Sequence, residues 1–276
     1  MDYKVLHIFR NTPFGRETLL QSLYFCNTIQ ASPVVYIPKS DKFLFYFSND
    51  VIQVDLDSSY LTDPDTAEAR TRNLLSDHGI REIFLTPKNY TASSLPDLPT
   101  HFDFFCCPRS VSDLSSRIGL GHIGPKVRRI IKHATFPVLL TSTVFKPWKS
   151  IAVLFGGSDN AVNALKLGLK LSLASGFPLD VYTLMEGRDQ DVYKAKAQNQ
   201  PFWEMAEPRI RNWHFWEKNQ FDQMLYDIPH DAMLVMGAYG HGPLKDILFG
   251  SKLEKIQSTL GNIMMVTGPQ STIRLR

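Results

Sequence analysis

Short apolar runs alternate with amphipathic helical segments along the second half of the chain, and this alternation restricts the fold more than any other feature. The runs 151–155 and 179–185 are typical of buried strands, while 159–175 carries leucines four residues apart and ends at Gly176. Further strand-like runs follow at 210–215, 232–236 and 263–266, with helical segments at 189–206, 221–226 and 251–260. Strands and helices in strict alternation predict a parallel sheet covered by helices.

The first half repeats this order. Its closing segments align with those of the second half at a single offset of 126 residues, which pairs Gly124 with Gly250 and Thr141 with Thr267. A long internal repeat indicates duplication, so we predict two α/β domains, 1–145 and 146–276. The predicted strands of the first domain are 5–9, 34–37, 82–85, 102–106 and 138–140, its helices are 16–30, 65–78 and 126–133, and a β-hairpin insertion spans 43–47 and 51–56.

Composition excludes several classes of protein. No apolar stretch approaches the length of a membrane span, and the first residues lack the pattern of a secretory signal. The net charge of +3, from 30 basic and 27 acidic side chains, does not favour nucleic acid as a partner. The three cysteines are odd in number and two are adjacent, which is typical of reduced thiols in the cytoplasm. We therefore expect a soluble cytoplasmic protein.

One helix of the first half is basic on one face. Its cations are either solvated or form a docking surface for an anionic partner. These side chains are Lys126, Arg128, Arg129 and Lys132.

A glycine-rich loop near the end of the chain is the strongest functional signal. Gly237, Gly240 and Gly250 have the spacing G-x2-G-x9-G, and Ser251 follows directly at the start of a predicted helix. Gly237 ends a strand, at the sheet edge where ligands of parallel α/β folds bind. Glycines let backbone N–H groups approach an anion, and a helix N-terminus favours negative charge. The loop therefore predicts a phosphate site, unless its glycines serve only turns and a helix start.

The strand order, the tandem halves and this glycine spacing resemble the universal stress protein family, in its tandem two-domain form. The resemblance extends over the whole chain and is strongest over 150–268. It implies two Rossmann-like domains, each a mainly parallel five-stranded sheet flanked by helices, and an ATP-like adenine nucleotide, with or without Mg²⁺, in the second domain. By position, the residues implied to cradle ribose and phosphates are Met236, Gly237, Gly240, Gly250, Ser251 and Lys252, with Gly156, Gly157 and Ser158 beside the phosphate chain and Leu184 at the base.

Two residues of this implied site differ from the others, one in having an open role and one in departing from the family pattern. His241 lies in the glycine loop, where it either meets a phosphate or is an ordinary exposed side chain. The family usually has an acid where this chain has Gly156, and the missing hydrogen-bond partner weakens binding by about 1–3 kcal/mol.

The first half lacks the glycine signature. The equivalents of Gly237 and Gly240 are Val111 and Leu114, and Pro125 replaces the serine and removes a backbone donor. We therefore expect the first half to be a ligand-free scaffold that supports the second.

These observations leave three functions open. The first is a regulatory universal stress protein that binds an adenine nucleotide and acts on an unidentified protein partner. It would not be an enzyme beyond slow ATP hydrolysis, since no general base is evident. The alternatives are a nucleotide-free scaffold or interaction protein with a vestigial glycine loop, and an enzyme of the related ATP-pyrophosphatase type. The family resemblance also implies that the closing strands 138–140 and 263–266 pair the two halves within the chain. A homodimer that forms through another surface stays open.

The loss of the signature in the first half predicts asymmetry. Calorimetric titration with ATP should give one adenine-nucleotide site per chain, because only the second half keeps glycine at all three positions. A titration that gives two equivalent nucleotide sites per chain would contradict this.

Overall fold

The computed structural model describes residues 3–47, 50–56, 63–88, 90–91, 93–109, 123–142, 144–239 and 261–275. The chain divides into two compact units, Met1–Phe145 and Lys146–Arg276. In the described part of the chain, no helix has the length and apolar character needed to cross a membrane.

The first unit contains a parallel sheet, a small second sheet and three helices. In chain order these elements are β1 (Tyr3–Ile8), α1 (Pro13–Ile29), β2 (Ala31–Tyr36), β3 (Lys42–Phe47), β4 (Asp50–Asp55), α2 (Pro64–Asp77), β5 (Asp97–Leu98), β6 (Phe104–Cys107), α3 (Pro125–His133) and β7 (Val138–Leu140).

The main sheet of this unit has the order β7-β6-β1-β2, with all neighbours parallel. The predicted strand 82–85 forms a single parallel bridge, between Phe84 and Val35, and lies beside β2. Two backbone hydrogen bonds, Val35 N–H to Ile83 O and Leu85 N–H to Val35 O, hold it there at 2.8 Å each. The segment therefore occupies the fifth position of the sheet without forming a regular strand.

The hairpin insertion forms the second sheet, with the order β4-β3-β5. The phenylalanines at every second position of β3 are buried, and Phe45 packs edge-on against Phe105 of β6 with ring centroids 5.3 Å apart. The two-residue strand β5 has no apolar run of its own in the sequence, and the sequence analysis did not predict it.

The basic face of α3 is used within the first unit. Lys126 donates to the Gln53 carbonyl oxygen on the edge strand β4 (2.7 Å), and Arg129 donates to both carboxylate oxygens of Asp50 (2.8 and 2.7 Å). Arg128 donates to the carbonyl oxygen of Ile123 (2.8 Å). Three of the four cations of this face therefore bind neighbouring groups of the first unit, while Arg129 and Lys132 stay exposed to solvent. These contacts also cover a sheet edge that would otherwise present unpaired backbone groups.

The second unit has a five-stranded parallel sheet in the order β10-β9-β8-β11-β12. Its elements are β8 (Ser150–Leu154), α4 (Asp159–Ser175), β9 (Leu179–Met185), α5 (Gln190–Gln198), α6 (Trp203–Ala206), β10 (Ile210–Glu217), α7 (Phe221–Asp227), β11 (Ala232–Gly237) and β12 (Met264–Thr267).

Helix α4 covers this sheet at very short range. A Cβ atom on Gly168 would lie 2.4 Å from Cγ2 of Val153 in β8, so only glycine lets the helix approach the strand this closely. The helix ends as the sequence predicts, with Gly176 in the left-handed conformation (φ 75°).

The contact between Arg129 and Asp50 should make the stability of the first unit depend on pH. The hydrogen bond from Arg129 holds the pKa of the Asp50 carboxyl below its ordinary value of 3.8. The pair therefore stabilises the fold above that value, and the contribution is lost as pH falls through the lower folded-state pKa. Arg129→Ala should cost about 1 kcal/mol or less at pH 7, because the pair is largely exposed.

Urea unfolding followed by far-ultraviolet circular dichroism measures this cost. The difference between parent and Arg129→Ala should shrink in acid, where Asp50 is protonated. Lys132→Ala, on the same helix and exposed, is the control and should match the parent at both pH values. A pH-independent cost for Arg129→Ala would contradict the assignment.

Candidate functional site

The strand order of the second unit reverses between β8 and β11. The chain leaves β8 toward β9 on one side, and β11 pairs with β8 on the other side. In open parallel sheets, the crevice outside the carboxyl ends of two such strands is where ligands bind. Residues 155–158, after β8, and residues 237–239, at and after the end of β11, border this crevice.

The turn after β8 leads directly into the N-terminus of α4. Gly157 has φ 73°, a conformation that side-chain-bearing residues rarely adopt, and the Ser158 hydroxyl accepts the Ala161 N–H at 3.2 Å as the helix cap. The first N–H groups of a helix have no partner within the helix, and the dipole makes this end positive. The described part of the predicted site thus brings a helix N-terminus and a serine hydroxyl to the crevice.

Gly237 has a structural role that its spacing did not reveal. A Cβ atom there would lie 2.3 Å from the backbone oxygen of Asn160, in the first turn of α4. The side-chain amide of Asn160 also donates to the Ala238 carbonyl oxygen. The end of β11 and the start of α4 are therefore in direct contact, and a side chain at position 237 would separate them.

Two predicted contact residues are buried in the sheet. Leu184 in β9 and Met236 in β11 are 3% and 1% exposed. In this conformation neither side chain presents appreciable surface to a ligand.

Tyr193 in α5 is a residue of this region that sequence reasoning missed. Its ring lies 3.3 Å from the position of a Cβ atom on Gly157, and its hydroxyl accepts the Glu186 N–H just after β9 at 3.1 Å. The side chain is buried, so it forms a wall over the turn that follows β8. Its spacing from the buried Ala197 is that of an ordinary core position on a helix, so nothing in the sequence marks it.

An ion pair fixes α5 beside the start of α4. Lys196 donates to the Asp159 carboxylate at 2.9 Å, next to the Ser158 cap. Asp159 is 93% exposed, so the pair contributes little to stability but places one cation close to the crevice.

The rest of the predicted site lies outside the described residues. These positions are Gly240, His241, Gly250, Ser251 and Lys252. Over the ranges that are described, no group of three or more His, Cys, Asp or Glu side chains is arranged to hold a metal ion.

Comparison with known proteins identifies the fold. No family model and no curated protein matches the chain. Among solved structures, a universal stress protein from Archaeoglobus fulgidus aligns with a TM-score of 0.59 at 12% identity, over 96% of each chain. The fold is therefore that of the universal stress proteins, which confirms the predicted α/β class.

Two structures from Pseudomonas aeruginosa agree with this result. A putative universal stress protein aligns with a TM-score of 0.55 at 12% identity over 98% of this chain and 94% of that chain. A functionally unknown protein aligns with a TM-score of 0.56 at 11% identity over 98% and 93%.

The packing of Gly237 predicts a cost in stability. Gly237→Ala should destabilise the second unit by about 1–3 kcal/mol, because the new methyl group overlaps the Asn160 backbone. Urea unfolding followed by tryptophan fluorescence reports on this unit alone, since all four tryptophans lie in it. Gly261→Ala is the matched control, because its Cβ would meet no atom of the described part of the chain closer than Lys146 Nζ at 4.0 Å. Equal stability of the two variants would contradict the packing argument.

Proposed function

We propose that the second unit binds an adenine nucleotide in the crevice between the carboxyl ends of β8 and β11, as a universal stress protein with a regulatory role. The observation that carries the proposal is the reversal of strand order at this point, with the N-terminus of α4 directly beside it. The glycine spacing that follows β11 supports the same position.

The phosphate groups supply most of the recognition in this proposal. The positive end of α4 and the Ser158 hydroxyl, which can donate its hydrogen while accepting the Ala161 N–H, suit an anion. Gly156 offers no carboxylate to the nucleoside, so binding depends on the phosphates and on the backbone of the glycine loop. Mg²⁺ would enter with the nucleotide rather than occupy a metal site built by the protein alone.

The proposed role is a switch controlled by nucleotide occupancy, with a protein partner as its target. Within residues 144–239 and 261–275, the crevice residues 155–158 and 237–239 include no histidine or carboxylate that could act as a general base, so we do not propose enzymatic turnover. We place the protein in the cytoplasm, since its three cysteines are buried free thiols.

One observation favours the alternative, a nucleotide-free interaction protein. The Tyr193 ring packs against the turn at Gly157 and is 3% exposed, so it fills space beside the crevice that a ligand could otherwise take.

Substitution in the glycine loop separates the two functions. Gly240→Val should weaken ATP binding at least about tenfold, because a branched side chain keeps the phosphates from the backbone. Gly261→Val is the matched control, since among the described residues a Cβ atom on Gly261 would meet only Lys146 Nζ at 4.0 Å, and its φ is not positive. Isothermal titration of the full chain with ATP measures both.

Three results would distinguish nucleotide binding from a nucleotide-free interaction protein. Loss of binding in Gly240→Val with retention in Gly261→Val supports the nucleotide site. Equal binding in both variants would place the ligand elsewhere. An unmodified chain that binds no ATP would favour the interaction protein.

A further inference from the structure

A cleft of about 660 Å³ opens in the first unit, the half that the sequence predicts to be ligand-free. It is bordered by the loop after β1, the first turns of α1, and α2. Its apolar lining is Leu20 and Leu74, and Phe9, which is 1% exposed and belongs to a buried core cluster of this unit, lies behind them. The volume falls within the range of sites that hold small molecules.

The wall formed by the loop after β1 is tightly built. The Thr12 N–H donates to the Arg10 carbonyl oxygen at 2.8 Å, and the Thr12 hydroxyl accepts the Gly15 N–H at 2.9 Å. A Cβ atom on Gly15 would lie only 1.9 Å from the Arg10 oxygen, so the chain turns back here in a way that only glycine permits. The cleft is therefore bounded by a fixed loop.

The backbone at the start of α1 has few donors for a ligand. Pro13 has no N–H, the Gly15 N–H is bound by Thr12, and the Arg16 N–H donates to the Thr12 carbonyl oxygen at 2.9 Å. Side chains therefore supply most of the anion recognition that we expect in this cleft. In the second unit the Ala161 and Val162 N–H groups are bound by Ser158 in the same way. The difference is that Asp159 keeps the N–H that Pro13 lacks.

Two arginines supply that recognition. Arg16 on α1 and Arg70 on α2 are exposed cations that line the cleft from two different helices. Arg70 donates to the Asn11 side-chain oxygen at 3.4 Å, and among the described residues no carboxylate lies within ion-pair distance of either guanidinium.

The cleft is also lined by two carboxylates, Glu17 and Asp77, which equal the two arginines in formal charge. The Glu17 carboxylate accepts the Phe145 backbone N–H at 3.0 Å, which directs it to another contact. Asp77 lies seven residues after Arg70 on α2, about 10 Å further along the helix. Asn73, between them, offers both a donor and an acceptor.

We propose that this cleft binds a small-molecule oxyanion, a compound whose phosphate or carboxylate group lies between Arg16 and Arg70. The guanidinium fork matches both oxyanions in a bidentate geometry. The apolar lining takes the carbon skeleton of the ligand, and Asp77 accepts a hydrogen bond from a hydroxyl or amino group at its far end. The first unit is then a binding unit in its own right, independent of the nucleotide site in the second.

Calorimetric titration of the full chain with inorganic pyrophosphate and with citrate tests this proposal and distinguishes the two oxyanions. The double variant Arg16→Ala/Arg70→Ala should bind the preferred probe at least about tenfold more weakly. Arg72→Ala is the matched control on the same helix, because Arg72 pairs with Glu68 and Glu82 outside the cleft and should bind the probe as the parent does. Arg70→Lys keeps the charge but not the fork, and should show an intermediate loss.

Either of two results would overturn the proposal. One is that the parent binds neither probe more tightly than about 10 mM. The other is that the double variant binds as tightly as the parent. Gly240→Val separates this site from the nucleotide site, since it should leave probe binding in the first unit unchanged while it weakens ATP binding. Circular dichroism checks that the double variant is folded.

Discussion

The close approach of α4 to its sheet is the constraint on which the second unit depends. Glycine is needed on both sides of this contact, because Cβ atoms on Gly168 and Gly237 would lie 2.4 Å from Val153 and 2.3 Å from Asn160. The second of these contacts fixes the first turn of the helix against the end of β11. The positive end of α4 is therefore held at the point where strand order reverses, which is what an anion site at this edge requires.

The first helix of the first unit is held at its start by a different arrangement. This helix begins with Thr12 and Pro13, and Gly15 allows the chain to turn back against the Arg10 carbonyl oxygen. The two caps bind corresponding N–H groups, since Thr12 accepts from Gly15 and Ser158 accepts from Ala161. The difference is Pro13, which removes one backbone donor from α1, so the proposed site in the first unit relies more on long side chains.

Apolar periodicity was sufficient to predict most of the fold. The bounds of β7 and β9 match their apolar runs, and α4 ends before Gly176 as predicted. What periodicity missed depends on tertiary contacts: β5 exists because β3 lies beside it, and the basic face of α3 is bound because the hairpin folds back onto it.

The site could be predicted only in outline. The resemblance pointed to Gly157 and Ser158, but their structural roles, a positive φ and the cap of α4, were not predicted. The packing of Tyr193 over that turn, and the contact of Gly237 with Asn160, join segments far apart in the chain. No local pattern encodes such pairs. The cleft between α1 and α2 was missed for the same reason.

A crystal structure of the full chain with a non-hydrolysable ATP analogue tests the central claim most directly. The account predicts the phosphates of the analogue at the start of α4, between the turn at Gly157 and the end of β11. An empty crevice, with Tyr193 in the same place and the analogue absent or bound only in the cleft of the first unit, would contradict it.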